Sequence, residues 1–253
     1  MTLVIALKAA DGVALVSDGQ ATVMDNPIHT RSGDARKLDD LHGRLAFGCS
    51  GHAGLAQRVA AALKGEITPE QCEQPIVQLR SQLHEVVNRV QKEALEEHVS
   101  VKPDCLPAHI EVLFAGYSAG EPWVYEVAVQ GEDEIHPDGE AIGHARHFPM
   151  YLMASTLHYE LAERGVEQVK ILAYRAVADA IKTEAGALSP PIHAYIVTAE
   201  GAEQLDRDRL RAIEDTLNAW KAQEKDIFRA LLAPKENPPA PVAVAEGAPG
   251  VQV

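Results

Sequence analysis

The chain has 253 residues, with 23 Lys and Arg against 37 Asp and Glu, a formal net charge of −14. That balance excludes a nucleic-acid binder that works by bulk charge, because phosphate binding needs a basic face. Hydrophobic residues make up 46% and charged residues 24%, so the sequence can fill a core and is not disordered throughout. No run reaches the roughly 18 apolar residues of a membrane span. The N-terminus lacks a basic region followed by an apolar one, so the expectation is a soluble cytoplasmic protein with no membrane partner. Cys49, Cys72 and Cys105 are too scattered for a disulfide framework or a zinc site and read as packed thiols.

In chain order, Leu3–Leu7 and Val13–Val16 are short apolar runs around Ala10-Asp11-Gly12, which predicts a hairpin of buried strands. Leu45–Gly48 reads as a strand stopped by glycine, and Ala53–Lys64 as an alanine-rich helix. A longer helix is expected from Pro69, with Ile76, Leu79, Leu83, Val86, Val87, Val90 and Ala94 on one stripe. Ile110–Tyr117 and Trp123–Val129 form a second hairpin signal. Phe148–Arg164 and Glu167–Thr183 read as amphipathic helices, Ile192–Thr198 as a strand and Glu203–Leu232 as a charged final helix. Helix pairs set between antiparallel strands predict an α+β fold, with two sheets sandwiched between helical layers. The expected organisation is a core over 1–202, a C-terminal helix over 203–233 and a Pro/Ala-rich disordered tail over 234–253.

The usual phosphate-loop, dinucleotide, nucleophile-elbow and H-E-x-x-H patterns are absent, so no cofactor is expected. His144 and His147 could share a helical face, but Phe148-Pro149 and the lack of nearby cysteines or acids argue against a metal site. Thr2 is different. If Met1 is removed, its hydroxyl and α-amine belong to one residue, and an α-amine titrating at about 7.7–8.0 can accept the hydroxyl proton near neutral pH. Taken alone, Thr2 reads as an ordinary second residue.

The run from Thr2 through Asp18-Gly-Gln-Ala-Thr22 resembles the opening of proteasome β-subunits and of the HslV-type peptidase. The similarity continues through Ala35-Arg36-Lys37-Leu38, through Gly43-Arg-Leu-Ala-Phe-Gly48-Cys-Ser-Gly51-His-Ala, through Ala141-Ile142-Gly143 and through Ile181-Lys-Thr-Glu-Ala-Gly-Ala-Leu-Ser before the strand at 192. The start at the first strand marks the resemblance as β-type, and the long final helix and proline-rich tail make it more similar to the bacterial Anbu group and the beta-proteobacterial proteasome homologue, the latter favoured, than to the HslV-type peptidase.

The resemblance implies a four-layer αββα sandwich and a threonine-type endopeptidase. In it Thr2 would be the nucleophile, Lys37 the cation that lowers the nucleophile's pKa, Asp18 its partner and Gly48 the oxyanion donor. Assigning the role to Lys37 and not Arg36 rests on the following Leu38. Where the family carries an orienting serine, this chain has Gly143-His144-Ala145-Arg146, and the family's later acid and serine fall on Glu184 and Ala187. His144 and Glu184 are therefore the substitute supports. Ala21, Thr22, Ala46 and Ser50 would line a specificity pocket for modest apolar side chains.

The family also implies a homo-oligomer of two stacked rings, peptide or unfolded-protein substrates, and a separate ATP-driven unfoldase for folded ones. Ring contacts are expected from the helices at Ala53–Lys64, after Pro69 and at Phe148–Arg164; alternatively their stripes cover the chain's own sheet. Three readings stay open: Asp18 as a turn residue, Lys37 as a surface lysine and Gly48 as a plain strand end. The competing function is a ring-forming scaffold that kept the fold and lost hydrolysis. A small-amide hydrolase is a further alternative, against which the Asp-Gly-Gln-Ala-Thr run argues.

Overall fold

The computed structural model describes residues 2–24, 30–34, 36–101, 109–129, 131–143, 146–147, 163–184 and 188–232, and the side chains of all but 21–34 and 99–101 among them. The expected helix at Phe148–Arg164 and the tail at 234–253 lie outside these residues.

The first apolar runs form β1 (Leu3–Lys8) and β2 (Gly12–Ser17), closed by an Ala9 N–H bond to the Gly12 carbonyl at 2.8 Å. A two-stranded hairpin follows, β3 (Gln20–Met24) with β4 (Thr30–Asp34), and then β5 (Leu38–Leu41) and β6 (Leu45–Gly51). Helix α1 covers Ala53–Glu66. The helix expected from Pro69 divides. Thr68 caps a single turn, α2 (Pro69–Cys72), through a reciprocal capping box with Gln71, and the long helix α3 runs over Ile76–Val101. Pro75 explains the break: a proline disfavours helical backbone at the residue before it and starts a new helix well. Its carbonyl accepts the first bonds of α3, from Gln78 and Leu79.

The second hairpin is β7 (Ile110–Ser118) with β8 (Glu121–Val127), followed by β9 (Asp133–His136) and β10 (Gly139–Gly143). Helix α4 (Val166–Thr183) leads to β11 (His193–Thr198) and β12 (Gly201–Gln204), and α5 spans Arg207–Leu232. Residues 203 and 204, expected at the start of the last helix, complete β12 instead, and α5 begins after Asp206 caps it by accepting the Arg209 N–H.

The strands assemble into two five-stranded antiparallel sheets, in the orders β10-β1-β2-β11-β12 and β5-β6-β7-β8-β9. Strand alternation sorts their side chains into three layers of core. Leu3, Ile5, Leu7, Ala14 and Val16 face α4 and α5, meeting Val169, Ala173, Val177, Ile213 and Leu217. Val4, Ala6, Val13 and Leu15 point the other way, into the interface between the sheets, against Leu38, Ala46, Leu113 and Ala115. The far face of the second sheet, with Leu45, Phe47, Val112 and Phe114, is covered by Leu55, Val59 and Leu63 of α1 and Leu79, Leu83 and Val87 of α3. The result is the α+β, four-layer sandwich expected. Full burial of each such aliphatic side chain is worth about 1.5–3 kcal/mol. The stripes of α1 and α3 are spent on the chain's own sheet, the alternative given for them.

One polar strut joins the sheets at their edges. His136, at the end of β9, holds Glu126 of β8 at 3.2 Å through Nε2 and Glu140 of β10 at 3.3 Å through Nδ1. With a carboxylate at each ring nitrogen, only the protonated ring donates to both. Burial alone would lower its pKa, but the hydrogen bond to Glu126 and the charges of Glu140, Glu126 and Glu134 outweigh this and raise it. Stability from the strut is thus fully present below the unfolded-state value of about 6.5 and is lost as pH rises through the elevated folded value. His136→Gln should therefore lower the urea midpoint most at mildly acidic pH, with the gap to wild type closing on the alkaline side. A gap that widens with pH would contradict this.

Candidate active site

Thr2 enters the first sheet at the head of β1, half-buried and on the alternation face of Val4 and Ala6, so its side chain opens the interface between the sheets. Its strand has neighbours on both sides: Val4 opposes Ser17 on β2, and Leu3 opposes Gly143 on β10.

Asp18 follows β2 directly and is fully buried. Its Oδ1 accepts the Leu3 N–H at 2.9 Å and Lys37 Nζ at 2.7 Å, while Oδ2 accepts the Gln20 N–H at 3.1 Å. Two backbone N–H groups and the lysine ammonium thus converge on its two oxygens. Lys37 reaches across from the N-terminal side of β5 with its side chain only 7% exposed. Burial pushes its ammonium below the ordinary lysine value, and Asp18 opposes that through its charge and its hydrogen bond. Arg36 turns elsewhere, to the Leu38 carbonyl at 3.1 Å and the Tyr195 hydroxyl at 2.7 Å. Of the two neighbouring cations, Lys37 is the one that meets Asp18. Asp18 is thus not merely a turn residue, nor Lys37 a solvated one.

Gly48 stands in a different place from the one expected. It lies inside β6, opposite Leu38 of β5 and Leu113 of β7, and a Cβ there would come within 2.6 Å of Val4 Cγ1. The Cys49 N–H points to β5, bonding the Lys37 carbonyl at 3.1 Å, and the His52 N–H points to β7, bonding the His109 carbonyl at 3.1 Å. Alternation therefore sends the Gly48 N–H into the β7 ladder and the Gly51 N–H to the Lys37 side, two residues beyond Cys49. No described residue stands opposite Gly51 there. Its φ of 125° and a would-be Cβ contact of 2.2 Å with the His109 carbonyl require glycine. Gly51 ends β6 three residues past Gly48.

The remaining expected residues divide. Ser50 shares the inter-sheet face with Gly48, and its Oγ would lie 3.0 Å from a Cβ at Gly143. Gly143 itself crowds the head of β1, with a would-be Cβ 2.2 Å from the Thr2 carbonyl and a φ of 101°. Ala46 is completely buried, deeper than Gly48 and packed with Ala6, Leu15 and Ala115, so it lines core and not an open pocket. Ala21 and Thr22 lie on β3, opposite Gly33 and Ser32, and their side chains fall outside what is described. His144 also falls outside. Glu184 is exposed at the C-terminal end of α4; its backbone bonds run to Ala180 and Leu188, and nothing described joins it to Thr2.

Glu111 was missed. It projects from β7 on the inter-sheet face, beside Ser50 in register, and its Oε2 accepts the Gly143 N–H at 3.0 Å while Oε1 lies 3.5 Å from Arg146 Nη1. The sequence signal was a lone carboxylate in the run Ile110-Glu-Val-Leu-Phe-Ala115, where every described neighbour is buried. Among the described residues, the one group with metal-ligand potential is Glu126, His136 and Glu140. Because the two carboxylates sit at opposite ring nitrogens, the arrangement is that of an ion-paired imidazolium.

Among the described residues no helix is long and apolar enough to cross a membrane. Residues 2–189 match the family model described as Proteasome subunit. No curated protein sequence matches significantly. Among solved structures, the Anbu complex from Pseudomonas aeruginosa, described as a helical assembly, superposes with a TM-score of 0.69 at 15% identity, covering 92% of this chain and 98% of that one. Anbu, the ancestral beta-subunit, from Yersinia bercovieri gives 0.67 at 16%, covering 93% and 100%.

Proposed function

The chain belongs to the proteasome-subunit family, and from that membership we propose that it is a threonine-type endopeptidase whose nucleophile is Thr2, exposed by removal of Met1. The observation that carries this reading is the buried Lys37–Asp18 pair, whose carboxylate also holds the Leu3 N–H beside the nucleophile. A desolvated ion pair of this kind costs more than it returns as a stabilising device. Its retention beside an N-terminal hydroxyl fits a catalytic use.

The chemistry follows from the residues. Thr2 Oγ attacks the peptide carbonyl carbon, and its proton passes to the α-amine. Lys37, charged and close by, lowers the pKa of both hydroxyl and amine. The Gly51 N–H, and not that of Gly48, donates to the oxyanion; losing one such donor typically costs about 10²–10³ in rate. The C–N bond breaks as the α-ammonium returns its proton to the leaving amine. Water then attacks the Thr2 ester through the same base, restoring the hydroxyl and releasing the acid.

The substrate class is peptide or unfolded protein, with Ser50, Ala21 and Thr22 in the pocket before the cut bond. Assembly is homo-oligomeric. A head-to-tail interface closes into rings or runs on as a helix, and the Pseudomonas relative is described as the latter. Two stacked rings with inward sites suit a cytoplasmic peptidase served by a separate ATP-driven unfoldase. The second reading, a scaffold with the same fold and no hydrolysis, draws on the exposed position of Glu184 and the Gly-His-Ala-Arg run in place of an orienting serine.

Intact mass combined with epoxyketone or β-lactone labelling tests the proposal, with Thr2→Ala as control. The expected result is a mass lacking methionine and one adduct on Thr2, absent from the control. Retained methionine, or free Thr2 that never labels, would favour the scaffold.

A further inference from the structure

We propose that Arg36 and Tyr195 are positioning residues that set the placement of Lys37 against Asp18. This deepens the peptidase reading and rests on it.

Lys37 immediately precedes β5, an edge strand only four residues long. On its inner side it is held by the Cys49 N–H bond to its carbonyl. Since Lys37 and Cys49 face one another in the ladder, the next residue, Leu38, turns its N–H and carbonyl outward, away from β6. Arg36 takes that outward carbonyl with Nε at 3.1 Å, so its own guanidinium braces the backbone on the far side of Lys37. The second arm of the fork, Nη2, donates to the Tyr195 hydroxyl at 2.7 Å.

Tyr195 belongs to β11 in the other sheet and is among the largest fully buried side chains, packed in the inter-sheet layer. It opposes Leu15 of β2, three residues before Asp18. Two consecutive residues of the β5 edge therefore send polar bonds across the gap, Lys37 to the end of β2 and Arg36 to the strand beside it. The first bond carries the chemistry and the second fixes the separation at which it is made. The bracing extends outward: Asp39 lies 3.4 Å from Arg36 Nη2 and accepts Lys64 Nζ of α1 at 2.6 Å, and the Tyr195 hydroxyl lies 3.4 Å from both Asp40 Oδ2 and Gln204 Oε1. A planar fork bonding in two directions is a task for arginine that lysine cannot copy.

Tyr195→Phe keeps the packed ring and deletes the bond, and Arg36→Lys keeps the charge and deletes the fork. Both are expected to lower kcat on a fluorogenic peptide about tenfold with KM unchanged, because a small misplacement of a charged group is costly. The acid limb of the kcat profile should also move to higher pH, since Lys37 then depresses the Thr2 amine less. Titration of Lys37 followed by NMR of 13C-labelled lysines, assigned with Lys37→Arg, reads the same geometry whether or not the protein hydrolyses peptides. The Lys37 pKa should fall further below the ordinary value in both variants, because the lysine stays buried while the Asp18 contact that opposes burial weakens. Lower melting temperatures with an unmoved Lys37 titration and an unmoved pH profile would overturn the proposal and leave the pair a structural brace. Failure of the wild-type chain to label at Thr2 would instead count against the peptidase reading, and the titration would still decide the positioning.

Discussion

Asp18→Ala should destabilise the fold by about 3–5 kcal/mol, the range for removing one partner of a buried ion pair. The substitution strips three donors at once, the Leu3 and Gln20 N–H groups and the Lys37 ammonium, all of which lie where water has poor access. Part of the cost is avoidable. Burial already pushes the Lys37 pKa down and Asp18 is what opposes it, so without Asp18 the lysine gives up its proton more readily. A double variant, Asp18→Ala with Lys37→Met, removes both charges and should recover a large share of the loss. Chemical denaturation of the four-member cycle measures this. Additive losses would mean that the two groups do not interact. Peptide hydrolysis should vanish in the single and double variants alike, which separates the stabilising role of the pair from its chemical one.

Gly143→Ala should leave the sandwich folded and reduce activity about 10²-fold or more, the scale expected when a reacting group moves by an ångström. The new Cβ would fall 2.2 Å from the Thr2 carbonyl, a backbone atom that no rotamer change can clear, at a φ of 101°. Relief must come from separating β10 from the head of β1, and Thr2 is the residue that moves. Deeper in the same strand pair, Ala141 and Ile142 oppose Ile5 and Val4 inside a well-filled core, so the distortion is confined to the edge. Epoxyketone labelling rates and melting curves on the same sample check both halves of the expectation. A variant that labels as fast as wild type would show that Gly143 does not shape the nucleophile's position.

The core strands were readable because their side chains are apolar and their turns carry the right residues. Val13–Val16 and Ile110–Tyr117 could hardly be anything but buried strands. The strands missed were the short or polar ones: β3 and β4, β5, β9, β10 and β12. Leu38-Asp-Asp-Leu41 carries two carboxylates in four residues and pairs on one side alone, so its strand character comes from β6 and not from its own composition. Pairing of Lys37 with Asp18 was legible through the spacing of the resemblance. The direction of the Gly48 N–H was not legible, because a glycine inside a strand resembles a glycine ending one. Only ladder alternation, which needs the partner strands, tells Gly48 from Gly51. Glu111 was hidden for the same reason, since its neighbour Gly143 is distant in sequence.

Strand β1, which Thr2 heads, has hydrogen-bonded neighbours on both flanks and a core layer on each face. A site carried on a surface loop can open and close while the rest of the protein stays intact. Here the Leu3 amide, locked onto the Asp18 carboxylate, has no such local exit, because freeing it means parting β1 from β2 in the centre of the molecule. The lifetime of the Leu3–Asp18 contact is therefore tied to that of the central β1–β2 pairing, and anything that slows the parting of these strands prolongs it.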